Sequence, residues 1–202
     1  MLDQLTRRWM APLLEPLAKL ALRLKLTPNF VTGCGTLVGL GCIPALALRL
    51  YPLAGGLFLL NRFLDGLDGT MARQTQPTAY GAYLDIVSDM LVYGGFVFGF
   101  ALAQPENAIW ATCLLFAFMG TSSSLLAYNA LYPTQTSAQD NRGLDFMGGL
   151  TEGTETLLFF VSMLWWPHLF PVLAIGFSLL CHLTTIFRGI KVHRLSKPGR
   201  QA

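Results

Sequence analysis

Asp65-Gly66-Leu67-Asp68-Gly69-Thr70-Met71-Ala72-Arg73, a polar break from Gln74 to Tyr80, then Gly81-Ala82-Tyr83-Leu84-Asp85-Ile86-Val87-Ser88-Asp89: this stretch sets four aspartates into a chain that otherwise has the composition of a membrane protein. Asp65 and Asp68 are three residues apart, Asp85 and Asp89 four apart, so each pair lies on one face of a helix. A carboxylate at the centre of a span costs about 2.5–3.5 kcal/mol on insertion scales. Four of them need a compensating partner, and a hard divalent cation with oxygen ligands is the natural one. One Mg²⁺ keeps several waters and takes only one or two carboxylates, so this set calls for two ions sharing a bridge.

Outward from that stretch the chain is apolar. Hydrophobic residues make up 53% of its 202 residues and charged residues 12%, about half of the roughly 25% usual in soluble chains. The length accommodates about six spans of roughly 20 residues joined by short loops. The expected fold is therefore all-α and integral to the membrane, with six transmembrane helices and an N-terminal amphipathic surface helix.

Residues 1–27 form the juxtamembrane segment. Arg7, Arg8, Lys19, Arg23 and Lys25 alternate there with Leu5, Trp9, Leu13, Leu17 and Leu20, which predicts a helix lying on the membrane surface and broken at Pro12 or Pro16. Glu15 and Lys19 interrupt the only early apolar run, so no cleavable signal is expected. The six-helix domain spans 28–190, with spans near 28–50, 53–75, 79–103, 107–131, 147–166 and 171–190. A basic cytoplasmic tail, 191–202, follows. Cys34, Cys42, Cys113 and Cys181 lie in apolar stretches without metal-ligand spacing and read as small packing residues. His168, His182 and His193 read as span-end residues.

Orientation follows from the basic residues. With the N-terminus in the cytoplasm, every Lys and Arg except Arg49 and Arg62 falls on that side. The second span then ends, and the third begins, at the cytoplasmic face. All four aspartates share one shallow depth there, in a cell (inner or plasma) membrane, reached from the side where nucleotides are found.

The stretch resembles the signature of the CDP-alcohol phosphotransferases (CDP-alcohol phosphatidyltransferases), integral membrane enzymes of phospholipid synthesis. Asp65, Asp68, Gly69, Ala72, Arg73, Gly81, Asp85 and Asp89 fill every fixed position of that pattern, with the loop between Arg73 and Gly81 one residue shorter than is usual in the family. The resemblance implies transfer of the phosphatidyl group of CDP-diacylglycerol to an alcohol, with release of CMP. It also implies two Mg²⁺ or Mn²⁺ ions held by Asp65, Asp68, Asp85 and Asp89, Asp89 as general base, and a homodimer. Direct activation of the alcohol by metal is the alternative to a dedicated base. Gly69, Ala72, Arg73 and Gly81 are implied to hold the CDP moiety. Pro28-Asn29-Phe30-Val31-Thr32, matching the family's Pro-Asn-x-Val-Thr start, adds Asn29, Phe30, Val31 and Thr32 to that pocket, and Thr78 is a weaker candidate for the pyrophosphate.

Glu152 and Glu155 near the start of the fifth span, with Arg142, are the candidates for the acceptor side. Since only Arg142 and Arg188 offer cations there, the expected acceptor is uncharged, amino-bearing or unusual. The partners are thus a CDP-linked lipid, a small alcohol and membrane lipid, with no nucleic acid. Two other readings stand beside this one: a CDP-amino alcohol donating to diacylglycerol, and a divalent-metal transporter. The transporter reading predicts carboxylates spread along a route through the membrane.

Overall fold

The computed structural model describes residues 2–132 and 153–195, with side chains from residue 10 onward. Among the described residues every regular element is helical: α1 (Leu2–Arg23), α2 (Pro28–Leu40), α3 (Cys42–Ala47), α4 (Tyr51–Gln74), α5 (Ala79–Ala103), α6 (Ala108–Leu131), α7 (Gly153–Trp165) and α8 (Phe170–Leu195). Short 3-10 turns at Pro105–Asn107 and Pro167–Leu169 lead into α6 and α8. Four segments are long and apolar enough to cross a membrane: Pro28–Ala47, Ala79–Ala103, Pro105–Leu131 and Pro167–Leu195. At 24 residues α4 has the length of a span, but Arg62, Asp65, Asp68 and Arg73 remove it from the apolar class.

Two local expectations are corrected. Helix α1 runs unbroken through Pro12 and Pro16. Both prolines lie on its exposed side, while Leu14, Ala18 and Ala21 form a buried stripe at helical spacing. Ala18 and Ala21 cluster with Val31 and Met71, so the packed face carries the helix past its missing backbone donors. The break falls instead inside the first span, at Gly41 between α2 and α3. It lies three residues before Pro44, which has no N–H to continue the helical ladder.

α2, α4 and α5 pack on one another, α1 lies along α4, and α6 pairs with α8. The buried face of α2 is Val31, Gly35 and Gly39, one residue per turn. A Cβ on Gly39 would fall 2.6 Å from Val92 Cγ2 and 2.9 Å from Asn61 Cγ, so only glycine lets α2 meet both α4 and α5 there. Further along, Phe58 of α4, Phe96 and Phe100 of α5, Phe160 of α7, and Phe170 and Phe177 of α8 are fully buried in one core. The Phe96 and Phe160 rings stack at 4.1 Å, and Phe100 and Phe170 at 4.5 Å. This aromatic seam fixes α4 against α5, and it is that register which brings the two aspartate pairs together. Cys42 and Cys181 are buried in this core, and all four cysteines are free thiols.

Candidate active site

The inner face of α4 reads Asn61, Asp65, Asp68, Ala72, and that of α5 reads Asp85, Ser88, Asp89, Val92, each in steps of three or four residues. Where these faces meet α2, a small cavity is lined by Thr32, Gly35, Thr36, Asn61, Arg62, Asp65, Asp68, Ser88 and Asp89. Asp65, Asp68 and Asp85 each offer a carboxylate oxygen within 4.8 Å of the others, so two helices converge on one point. Asp68 is buried, and its Oδ2 has no hydrogen-bond partner. A buried carboxylate oxygen left unpartnered is expensive unless a cation completes it. The donor set, all hard oxygens from three carboxylates, suits Mg²⁺ or Mn²⁺. These residues therefore fit the divalent metal, and their gathering at one point is the opposite of the spread that a transport route requires.

Asp89 lines the same cavity, but its Oδ1 accepts from Arg62 Nη2 at 2.8 Å. Arg62 Nη1 lies 3.9 Å from Asp65 Oδ2 and donates to the Tyr93 hydroxyl at 2.8 Å. Nε and Nη2 both donate to Asn61 Oδ1, at 2.9 and 2.7 Å. Asn61 in turn donates through Nδ2 to the Gly35 carbonyl on α2. On the α2–α5 side, the Thr36 hydroxyl lies 2.7 Å from Ser88 Oγ. Arg62 is three residues from Asp65, a spacing that predicts the ion pair between them, while Asn61, Gly35, Thr36 and Ser88 are cavity residues that the sequence reading does not assign to the site. Each lies three or four residues from one that it named, the spacing that could have found them.

The residues expected around a nucleotide divide. Thr32 lines the cavity. Val31 is buried in the α1–α4 cluster and Phe30 is 58% exposed, so neither lines it. Asn29 Oδ1 and Thr78 Oγ1 both lie close to Gly81, each 3.1 Å from where a Cβ would stand, and this brings Asn29, Thr78 and Gly81 together at the start of α5. Thr78 has a structural duty there: as N-cap of α5 its hydroxyl accepts from Gly81 N at 3.0 Å. Gly69 and Ala72 leave that part of α4 bare of side chain, and exposed Arg73 donates to Thr70 Oγ1 at 2.8 Å beside it.

On the acceptor side, Glu155 lies in the first turn of α7 and is not part of the cavity lining. Arg142 and Glu152 lie outside the described residues. Arg188 on α8 is buried and donates through Nη1 to the Thr121 carbonyl and to Ser124 Oγ on α6, at 2.8 and 2.7 Å. Its Nε is buried without a partner. Between those two α6 residues, Ser122 donates to Met90 Sδ at 3.0 Å, so Arg188 lies at the level of the residue after Asp89.

The family model described as CDP-alcohol phosphatidyltransferase matches residues 25–187. The chain belongs to this family. The inner membrane protein YnjF of Escherichia coli is 42% identical to this chain over 93% of each. The phosphatidylinositol phosphate synthase of Mycobacterium marinum is 28% identical over 96% of this chain and 85% of its own. Among solved structures, the Mycobacterium tuberculosis phosphatidylinositol phosphate synthase with CDP-DAG bound superposes with a TM-score of 0.67 at 23% identity, covering 93% of this chain and 96% of that one. The same synthase in complex with manganese and citrate also gives 0.67. Membership makes this CDP-alcohol phosphatidyltransferase relative a membrane transferase of phospholipid synthesis, and the superposition establishes that the helical arrangement is the family's.

Proposed function

We propose that the protein transfers the phosphatidyl group of CDP-diacylglycerol to a hydroxyl of a small water-soluble alcohol and releases CMP. The observation that carries this reading is the convergence of Asp65, Asp68 and Asp85 around an unpartnered Asp68 oxygen. Asp65, Asp68, Asp85 and Asp89 hold two divalent ions, Mg²⁺ or Mn²⁺. Bound there, the ions neutralise pyrophosphate oxygens and polarise the phosphorus under attack. One relative, seen with CDP-DAG bound and separately with manganese, supports both donor and metal.

The chain's own groups do the rest. Gly69 and Ala72 give the ribose and phosphates a close approach to the α4 backbone, and Arg73 donates to a phosphate oxygen. Asn29, Thr32 and Gly81 border the nucleotide at the ends of α2 and α5. The acceptor oxygen forms a bond to the phosphorus carrying diacylglycerol as the bond from that phosphorus to the bridging oxygen breaks. CMP leaves with the electron pair. Asp89 takes the hydroxyl proton through Oδ2, its Oδ1 being held by Arg62.

The same reading counts α4 and the segment containing α7 as spans, giving six within 28–190, and lays α1 on the membrane surface with the basic tail on the same side. The positive-inside bias sets the N-terminus and the aspartates toward the cytoplasm, and two such chains form the homodimer. Arg188 favours a second reading of the acceptor. A buried guanidinium with an unpartnered Nε is a ready donor to an anion, and relatives of this chain include phosphatidylinositol phosphate synthases, so the acceptor alcohol carries a phosphate.

The test is CMP release from labelled CDP-diacylglycerol by purified protein, with alcohols supplied in phosphorylated and unphosphorylated pairs. Release that requires Mg²⁺ or Mn²⁺ and an added alcohol is expected. Release only from a CDP-amino alcohol with diacylglycerol would overturn the donor assignment. Preference for the unphosphorylated member of each pair would return the acceptor to the uncharged class.

A further inference from the structure

Arg62 is held by several partners beside the cavity, and the phosphatidyl-transfer scheme gives it no contact with donor, acceptor or metal. Its guanidinium contacts Asn61, Asp65, Asp89 and Tyr93, and it stacks over the Tyr93 ring at 4.9 Å and near Phe58 at 5.8 Å. Through Asn61 and the Gly35 carbonyl the tether reaches α2, so three helices fix one cation. A snorkelling arginine needs none of this; it points its head to water. This one is largely buried, with only 16% of its side chain exposed, and is aimed between one carboxylate of each aspartate pair.

We propose that Arg62 is the resident counter-ion of the carboxylate cluster and the positioning residue for Asp89. Charge bookkeeping makes the case. Four carboxylates in a low-dielectric site repel one another, and a divalent ion that comes and goes leaves them uncompensated between visits. Arginine is charged at every working pH and presents a rigid fork. One arm of that fork holds Asp89 Oδ1, which fixes the direction of Oδ2, while the charge lies 3.9 Å from Asp65. The clamp thus ties the carboxylates of α4 and α5 to one cation while metal is absent, and it competes for carboxylate charge when metal arrives. The inference rests on the metal reading given above.

The experiment compares unfolding temperatures of detergent-purified wild-type, Arg62→Gln and Arg62→Lys proteins, each with chelator and with saturating Mn²⁺, alongside kcat and KM. In wild type, Mn²⁺ raises the transition. For R62Q the metal-free transition falls and the Mn²⁺-induced rise becomes larger than in wild type, because the ion inherits the role of the lost cation. For R62K, which keeps the charge and loses the fork, the Mn²⁺-induced rise matches wild type while kcat drops at least tenfold at unchanged donor KM. If R62Q does not fold, Tyr93→Phe removes one acceptor from the fork and keeps the ring, and it shows the same enlarged rise in smaller measure. A fall of equal size with and without Mn²⁺ in R62Q, or in Y93F where it replaces R62Q, makes Arg62 a purely structural tie and overturns the proposal, as does wild-type kcat in R62K. Absence of any Mn²⁺-induced rise in wild type sinks the metal reading itself, and is told apart by appearing before any variant is made.

Discussion

Helices α4 and α5 run side by side through two contrasting halves. In one, Phe96 stacks on Phe160 of α7 and Phe58 packs against both at a tilt, in a fully buried aromatic core. In the other, about two to three turns along α4 from Phe58, Asp65 and Asp68 meet Asp85 around an unsatisfied oxygen. The apolar half gains from being closed and dry. The polar half is built at a cost in stability, which Arg62 offsets at Asp65 and Asp89 but not at the unpartnered Asp68 oxygen. Arg62 and Tyr93 stand at the boundary, one touching aspartates on one side and phenylalanine on the other. The contrast teaches that register is stored in the aromatics and chemistry in the carboxylates, so the two should fail differently under mutation.

The largest expected effect lies in the polar half. Asp68→Asn removes a buried, unpartnered carboxylate oxygen, so CMP release falls by more than about 100-fold, an effect beyond that of losing a supporting partner of a metal ligand. The metal-free unfolding temperature meanwhile holds or rises, because a neutral amide costs less to bury. A drop in stability with metal absent would erase the proposed contrast.

Phe96→Ala reverses the pattern. Removing a fully buried ring from the stack destabilises the protein by about 3–5 kcal/mol, while CMP release per folded molecule stays within a few-fold of wild type. Chemical unfolding in mixed micelles, paired with rates normalised to folded protein, checks both halves of the statement. Gly39→Ala sharpens the boundary. Its new Cβ meets Val92 on the apolar side and Asn61 on the polar side, so it costs about 1–3 kcal/mol by overpacking and also lowers kcat through the Asn61–Arg62 tether. Thr78→Ala is the mildest. It loses the α5 N-cap, about 1 kcal/mol, with donor KM unchanged; a raised KM would return Thr78 to the pyrophosphate.

Much of this arrangement was legible in the chain because helical spacing is a local property. Asp65 with Asp68, and Asp85 with Asp89, declare their faces without any knowledge of neighbouring helices, and Thr32 was named from its place in a short motif. What stayed hidden depends on contacts between helices. Arg62 is three residues from Asp65 in sequence, so a pair between them was foreseeable, yet its shorter contact is to Asp89, 27 residues away. Only the α4–α5 register set by Phe58 and Phe96 determines that choice. Val31 fits a nucleotide motif by sequence but faces α1, because the stripe Val31-Gly35-Gly39 is turned inward. The prolines misled for a similar reason: whether a proline ends a helix depends on the packing of the opposite face, and that of α1 is secured against α4.

The central claim is that carboxylates from two separate helices close on shared divalent ions. It is tested most directly by counting Mn²⁺ bound to detergent-purified protein, through the electron paramagnetic resonance signal of the free ion, for wild type, Asp68→Asn on α4 and Asp85→Asn on α5. Saturable binding in wild type, weakened at least tenfold by either substitution with helicity intact by circular dichroism, is the predicted result. Wild-type Mn²⁺ binding in both variants would contradict it.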